Sequence, residues 1–195
     1  MTLRLSEPDP ALQASYLGAL AELTAEGNGH FLAMVHPPEP GYVGADYTLE
    51  TLADPATFAA FCEREVALSQ PGTPRPTGWV SGTYLWMVDD TADGPQVVGR
   101  ISLRHELTAW LLEVGGHIGY AVRPSARRRG HATRALALML PIAAERGLDR
   151  VLVTCDEDNV GSRRVIEANG GVLEDVRGTK RRYWLPTRPT HPPQS

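Results

Sequence analysis

The sequence has 195 residues, of which 42% are hydrophobic and 22% charged, a composition typical of one folded domain rather than of a disordered chain. Two cysteines are too few for a disulfide framework, their spacing does not suggest a zinc site, and we expect no metal. The formal net charge of -4 argues against a dedicated nucleic-acid binder. No basic segment precedes an apolar run at the N-terminus, and the longest apolar stretch is about half of the ~20 residues that a membrane helix needs, so we expect a cytoplasmic protein.

Two helices are predicted in the first third of the chain. Asp9 followed by Pro10 is a typical helix start, and apolar residues then recur at helical spacing as far as Leu23. Asp54 followed by Pro55 gives the same signal for a second helix. Residues 69–78 are rich in proline and glycine, which predicts a loop.

The middle of the chain changes to the period of β-strands. Residues 79–88 and 96–104 are predicted strands joined by a polar turn at 89–95, and residues 117–122 form a third strand. Residues 133–146 have helical spacing, although Pro141 predicts a kink or an early end.

The last part of the chain predicts a buried strand at 151–155, a short helix at 162–168 and a hairpin of 172–175 with 181–185. A strand–helix–strand unit pairs its strands in parallel, whereas the strands before it look antiparallel. The predicted fold class is therefore α/β (α+β), with a single mixed, mostly antiparallel sheet flanked by helices. We expect one domain over residues 1–185 and a disordered, proline-rich tail at 186–195.

Charge is distributed unevenly along the sequence. Residues 1–70 carry a net charge of -8, whereas residues 114–195 carry +6. Between Glu113 and Glu145 there are five arginines and no acid. This pattern favours an anionic ligand in the C-terminal half, and the alternative is that the arginines only decorate a surface.

The segment RRRGHAT, residues 127–133, lies between a predicted strand and a predicted helix. Gly130 permits close approach of the backbone, and the unpaired amides of a first helical turn attract anions such as a pyrophosphate. Arginines in such a segment can add bidentate bonds to phosphate. The alternative is an ordinary exposed basic turn, since the segment is neither a dinucleotide fingerprint nor a Walker loop.

Arg127-x-x-Gly130-x-Ala132 after a strand resembles the pyrophosphate motif of the GCN5-related N-acetyltransferases (GNAT). The following strand, Asn159 and the helix that ends at Gly170 resemble the second acetyl-CoA motif of that family. The stretch from about Val98 through Leu185 is similar to a bacterial subgroup of predicted acetyltransferases. The resemblance implies an acyl-CoA N-acyltransferase fold and acetyl-CoA as co-substrate.

The resemblance also implies which residues contact that co-substrate. The backbone of Tyr120, Ala121 and Val122 would bind the pantetheine arm, and Asn159 and Ser162 would face the pantetheine or its thiol. The pyrophosphate would lie on the loop formed by Arg127, Arg128, Arg129, Gly130, His131, Ala132 and Thr133. Many relatives carry a tyrosine as general acid on the short helix, but that position is Ile166 here, so another donor must serve or the thiolate leaves unaided.

The implied reaction is direct attack of a primary amine, of a small molecule or of a protein, on the acetyl thioester in a ternary complex. An alkylammonium has a pKa near ~10.4, so a base must first remove a proton. His117 and Glu113 are the candidate bases, with Asp156 and Glu157 as a further option, and Tyr183 is a candidate acid. Cys155 raises the alternative of an acetyl-cysteine intermediate.

The charge split predicts that the acidic N-terminal third forms the acceptor side and favours cationic amines. A homodimer is a possible assembly. The competing functions are a non-catalytic acetyl-CoA sensor or interaction domain, which the residue at position 166 favours, and a nucleic-acid-binding module, against which the net charge argues.

Overall fold

The structure is a computed structural model that describes residues 2–91 and 94–188. Both predicted helix starts are confirmed. The Asp9 carboxylate accepts a hydrogen bond from the amide of Ala11 ahead of helix α1, Gln13–Ala25. The Asp54 carboxylate accepts one from the amide of Thr57 (2.8 Å) and begins helix α2, Pro55–Ala67.

In the described part of the chain, seven strands form the main sheet, which is mixed and mostly antiparallel, as predicted. The chain first contributes β1 at its start and a small separate ribbon of β2 and β3, and the remaining strands follow α2. The strands are β1, Thr2–Ser6; β2, Val35–His36; β3, Ala45–Asp46; β4, Gly82–Thr91; β5, Gly94–Arg104; β6, Ile118–Val122; β7, Arg150–Asp156; β8, Val172–Arg177; and β9, Lys180–Pro186. Their order in the main sheet is β1-β4-β5-β6-β7-β9-β8, and only the β6–β7 pair is parallel.

The N-terminal strand and the length of the central hairpin differ from the sequence-based expectation. β1 was not predicted. The predicted antiparallel pairing of β4 with β5 is confirmed, but the bounds 89–95 predicted for the turn are wrong, because β4 continues to Thr91 and β5 begins at Gly94. β1 pairs with one side of this stretch and β5 with the other, so Asp89 faces both Leu3 and Gln96. Backbone hydrogen bonds to β1 and β5 hold Asp89 and Asp90 in the strand, although their polar side chains alone predict a turn.

Two further helices cover the second face of the sheet: α3, His131–Glu145, and α4, Val160–Ala168. Of the two outcomes expected of Pro141, the early end is wrong, because α3 continues to Glu145, and the kink stays a prediction. Pro141 is exposed, so the bond it cannot donate is lost on the solvent side, while Met139 and Ala143 are fully buried and hold the helix on the sheet.

The two faces of the sheet carry separate cores. Trp86 and Val88 of β4 pack with Tyr16, Phe58 and Phe61 of α1 and α2. Leu85, Met87, Ile101 and Leu103 pack on the other face, against α3 and α4. Functional groups on one strand therefore alternate between a space beneath α1 and α2 and a space beneath α3 and α4.

The sheet opens between β6 and β7. Among the described residues these strands register at a single pair, Ile118 with Val153, and no pairing continues towards their carboxyl ends. The gap leaves backbone groups of both strands free for a ligand.

The predicted disordered tail at 186–195 lies partly within the described residues. Pro186 belongs to β9 and Thr187 is buried with its hydroxyl donating to Leu148 O (2.6 Å), so the predicted disordered tail does not begin at 186. Residues 189–195 of that tail lie outside the described residues, and the 1–185 domain assignment stays a prediction. None of the described helices combines the length and apolarity that crossing a membrane requires.

Candidate active site

The turn into α3 presents a row of free backbone donors. Arg128 and Gly130 have positive φ angles of 60° and 80°, which curl the loop into the helix. The amides from Arg128 to Thr133 have no acceptor among the described residues, and a Cβ at Gly130 would meet nothing within 4 Å. A cavity of about 400 Å³ lies here, lined by Arg129, Gly130, His131, Arg134, Thr2, Leu3 and Asp89. Free amides at the start of a 15-residue helix suit an anion.

Helix α1 holds this loop through its own carboxylates. Glu22 accepts from Arg123 Nε (2.9 Å) and from the amide of Ser125 (2.9 Å). These bonds, that from Arg123 first, lower the pKa of Glu22 to about 2 against the opposing effect of burial. The acids of the N-terminal third thus neutralise part of the basic segment.

The three consecutive arginines do not share one role. Arg127 pairs with Glu26 (Nη2–Oε2 2.6 Å) and donates from Nε to Val122 O (3.1 Å). These contacts turn its side chain towards α1, whereas the sequence predicted that Arg127 contacts the pyrophosphate. Arg128 and Arg129 are exposed beside the free amides and form no ion pair with another described residue. They are the arginines of the motif that remain for an anion.

The backbone of β6 faces the gap at alternate residues. The amide of Arg123 donates to Val98 O (2.8 Å), and the Ala121 carbonyl lies against Gly99, where an added Cβ would come within 2.2 Å of it. Peptide groups alternate along a strand, so Ala121 faces β5, whereas Tyr120 and Val122 face the gap towards β7. Of the three predicted pantetheine contacts, only these two have backbone groups pointing into the gap, and the Val122 carbonyl already accepts from Arg127 Nε (3.1 Å).

The start of α4 brings side chains from two elements together beside the gap. Asn159 caps α4 by accepting from the amide of Ser162 (2.9 Å), and the Ser162 hydroxyl is 2.7 Å from the Tyr120 hydroxyl. Burial raises the pKa of Tyr120 to about 12. Two hydroxyls bonded to each other therefore stand where β6 and α4 meet.

The buried side chains nearby give no support to covalent or α4-based acid catalysis. Ile166 is fully buried in the core. Cys155 is also buried, and burial raises the pKa of its thiol, which disfavours the thiolate that an acetyl-cysteine route needs.

The predicted catalytic residues lie apart from one another. His117 is buried, its Nδ1 accepts from the amide of Leu152 (2.9 Å), and burial lowers its pKa to about 4. Glu113 is bonded to Arg177 at the surface. Tyr183 is buried in the core with its hydroxyl 3.3 Å from Glu167 Oε1. These contacts favour structural roles for all three.

The two further carboxylates proposed as bases have basic partners on β9. Asp156 pairs with Lys180 (2.6 Å), and Glu157 lies 3.7 Å from Arg181.

A larger cavity, of about 530 Å³, lies on the α1 and α2 face beside β6. Aromatic and apolar side chains from separate loops line it, with two arginines, one glutamate and one histidine. These residues include Phe31, Leu32, Phe61, Trp79, Tyr84, Trp110, Leu111, His30, Glu65, Arg100 and Arg104. Tyr120 and Ala121, predicted as pantetheine contacts, also line it, but none of the residues named above was predicted as a site residue, because the loops that meet here are distant in sequence and carry no shared motif. The alternation of Arg100, Ser102 and Arg104 along β5 is the one local signal of a polar face.

The sequence model of the acetyltransferase (GNAT) domain matches residues 42–172, about two thirds of the chain. No curated protein matches it in sequence. Among solved structures it is similar to RimJ of Mycobacterium smegmatis in complex with CoA-disulfide, at 20% identity over 99% of this chain and 85% of that chain, with a TM-score of 0.60.

Two other solved structures show the same fold. A ribosomal-protein alpha-N acetyltransferase, RimL, in complex with coenzyme A is 17% identical over 95% of this chain and 94% of that one, with a TM-score of 0.59. The microcin C7 self-immunity acetyltransferase MccE, in complex with acetyl-CoA and AMP, is 13% identical over 94% and 92%, also with a TM-score of 0.59. The resemblance seen in the sequence is confirmed: the chain belongs to the GNAT family and is an acetyltransferase.

Proposed function

We propose that the protein transfers the acetyl group of acetyl-CoA to a primary amine held in the 530 Å³ cavity. The observation that carries this proposal is the run of free amides from Arg128 to Thr133 beside the open edge of β6. A pyrophosphate fits those donors, and an extended pantetheine arm fits the backbone of Tyr120 and Val122 as an added strand would. The relatives solved with coenzyme A, acetyl-CoA or CoA-disulfide support the same substrate.

The cavity supports a direct attack because it adjoins the same strand. Gly119, Tyr120 and Ala121 of β6 line it, and the backbone of Tyr120 and Val122 points into the gap towards β7. An amine in the cavity and a thioester along β6 would meet in one ternary complex. Holding the two reactants together removes much of the entropic cost of the reaction.

Proton transfer in this arrangement needs groups other than those the sequence suggested. We propose that the hydroxyls of Ser162 and Tyr120 donate hydrogen bonds to the departing thiolate and so stabilise it, since Ile166 offers no donor and these two stand beside the gap. His30 is an exposed imidazole on the lining of the cavity, and we propose it as the group that accepts the amine proton. Glu113, His117 and Tyr183 stay predictions that their surroundings do not favour.

The proposed acceptor is a primary amine, either of a small molecule or of a protein. RimL acts on a protein amine, and MccE was solved with AMP, so both kinds of ligand occur among proteins of this fold. The predicted preference for cationic amines has little support in the cavity, where the lining carboxylate, Glu65, is already paired with Arg100. The homodimer also stays a prediction.

Replacing Gly130 by glutamate tests the proposal. The new carboxylate would fill the open space above the free amides and repel a pyrophosphate, so we expect coenzyme A affinity to fall at least about 100-fold. Gly147→Glu is the matched control, because Gly147 has the same positive φ and open surroundings at the other end of α3.

Calorimetry with coenzyme A and thiol release over a panel of amines are the two measurements. Equal affinity in the Gly130→Glu and Gly147→Glu variants would contradict the assigned pyrophosphate position. Binding of acetyl-CoA without thiol release for any amine would instead favour the sensor function.

A further inference from the structure

We infer that the amine acceptor carries a carboxylate close to its amino group, that Arg104 binds this carboxylate, and that the rest of the acceptor is apolar, as in an α-amino acid with an apolar side chain. The inference deepens the proposed function and rests on it. It departs from the cationic acceptor that the charge split predicts.

The two arginines that line the cavity differ in whether an acid balances their charge. Arg100 is bonded to the buried carboxylate of Glu65. Its Nη1 also donates to Phe31 O (3.2 Å) and Leu32 O (3.1 Å), and its guanidinium lies 4.5 Å from the centre of the Tyr84 ring. Arg100 and Glu65 therefore neutralise each other and are fixed in place.

Arg104 has no such counter-charge. Its Nη1 donates to two neutral carbonyls, those of Gly115 and Gly116 (both 3.2 Å), and no carboxylate of the described chain lies within ion-pair distance. Burial lowers the pKa of this guanidinium; Tyr84 opposes this lowering, and the nearby Arg100 adds to it. A guanidinium held in a largely apolar cavity without an acid is stabilised by any anion that enters.

The position of Arg104 sets where the anion would lie. A Cβ built on Gly119 would be 3.8 Å from Nη1 and 3.9 Å from Nη2, and 3.6 Å from the Ser102 hydroxyl. The guanidinium and this hydroxyl thus lie over the middle of β6, one residue from Tyr120, whose backbone faces the thioester gap. An anion there would be within a few bonds of the attacking nitrogen, which is the spacing of an α-amino carboxylate.

The other residues that line the cavity indicate the chemical character of the rest of the acceptor. Phe31, Phe61, Trp79, Trp110 and Leu111 supply apolar and aromatic surface around the two arginines. The volume of about 530 Å³ is in the range of small-molecule sites and accommodates a whole amino acid. An apolar side chain on the acceptor would displace water from this lining. A second charged group on the acceptor would have no ion-pair partner among the described lining residues, because Arg100 and Glu65 are already paired with each other.

The test compares three amines that differ only in the carboxylate: phenylalanine, phenylalaninamide and 2-phenylethylamine. With saturating acetyl-CoA, we expect kcat/KM for phenylalanine to exceed that for either other amine by about 10–100-fold, as one charge-assisted bidentate contact allows. Arg104→Met should reduce this ratio to about one by slowing phenylalanine alone, and Arg104→Lys should restore part of it. Arg146→Met, at the exposed C-terminal cap of α3, is the control and should leave the ratio unchanged.

Binding of products gives a readout that does not depend on turnover. In the presence of coenzyme A, N-acetylphenylalanine should bind more tightly than N-acetylphenylalaninamide in the wild type but not in Arg104→Met. Equal use of the amide and the acid, or a preference that survives Arg104→Met, would overturn the inference while leaving the proposed function intact. Coenzyme A affinity that is no lower in Gly130→Glu than in Gly147→Glu would instead remove the basis of the proposed function, whatever the amines show.

Discussion

The imidazole of His117 is fixed by its backbone neighbours rather than poised for catalysis. Its amide donates to Leu152 O (2.7 Å), its Nδ1 accepts from the amide of Leu152, and its ring meets the edge of Trp184. The ring joins β6 to β7 at the point where the two strands begin to separate. A protonated ring would lose the Nδ1 acceptor and would be charged in a buried site beside Arg104.

A pH-dependent loss of stability follows from this contact. The pKa of His117 is lowered to about 4 in the folded protein, against an ordinary value near ~6.5, so its contribution is complete above about pH 6.5 and is lost as the pH falls towards about 4. We expect the wild type to lose about 2–3 kcal/mol from this group between about pH 7 and pH 4.

The His117→Asn variant tests this expectation because asparagine keeps an acceptor for Leu152 and removes the titration. Its free energy of unfolding, measured in urea at several pH values, should fall less steeply than that of the wild type. Parallel pH profiles for the two proteins would show that the ring does not stay neutral in the fold.

At the scale of elements, α1 acts as the support of the anion-binding turn. Glu22 and Glu26 lie one turn apart on the helix and hold Arg123 and Arg127 at the two ends of the loop that leads to α3. The acidic first third and the basic last third, whose separation is visible in the sequence, are thereby brought into direct contact. Much of the opposite charge on these two parts of the chain is therefore neutralised within the fold and does not remain to bind an acceptor.

Helix α3 contains Pro141 in its interior, and this proline lowers the stability of the protein although the packing of the helix keeps it intact. Pro141 cannot donate to the carbonyl of Ala137, and a proline inside a helix costs about 3 kcal/mol relative to alanine. Pro141→Ala should therefore stabilise the protein by about 1–2 kcal/mol, because the regained bond outweighs the loss of the restriction that proline places on the unfolded chain.

For a chain of this size, the expected rise in Tm is about 2–4 °C for each kcal/mol. Thermal unfolding of the wild type and the variant measures it. A lower Tm for Pro141→Ala would show that the ring makes a favourable contact that outweighs the missing bond.

At the scale of the whole molecule, one buried ion pair joins three parts of the chain. Glu65 of α2 meets Arg100 of β5, which also binds the carbonyls of Phe31 and Leu32 between α1 and β2. Their side chains are 5% and 12% exposed, against 48% and 45% for Asp90 and Arg4, a surface pair at the sheet edge. The buried pair therefore holds α2 and one wall of the acceptor cavity on the sheet.

Glu65→Gln should destabilise the protein by about 3–5 kcal/mol, because it leaves the Arg100 charge buried without a counter-charge. Asp90→Asn, which breaks the exposed pair, should cost about 0–1 kcal/mol. Urea unfolding of both variants gives the comparison, and similar losses for the two would argue against the role assigned to Glu65.

The amino-acid sequence alone was sufficient for the features that depend on neighbouring residues. Asp9 and Asp54 beside prolines mark helix starts, and Gly130 with its flanking residues marks the turn into α3, because caps and positive-φ glycines act within a few residues. The order of these elements also indicated a mixed sheet and, through the residues around Gly130 and Asn159, the GNAT family.

The tertiary structure decided what depends on residues far apart in the chain. β1 pairs with β4 across about 80 residues, Arg127 turns to Glu26, and the acceptor cavity forms where loops near positions 31, 79 and 110 meet. Arg104 looks in the sequence like any other arginine of a strand. Only the fold shows that Glu65 is paired with Arg100 and that none of the described acidic residues pairs with Arg104. Long-range burial and pairing leave no local signal, because the free energy of a charge is set by which partners the whole fold places around it.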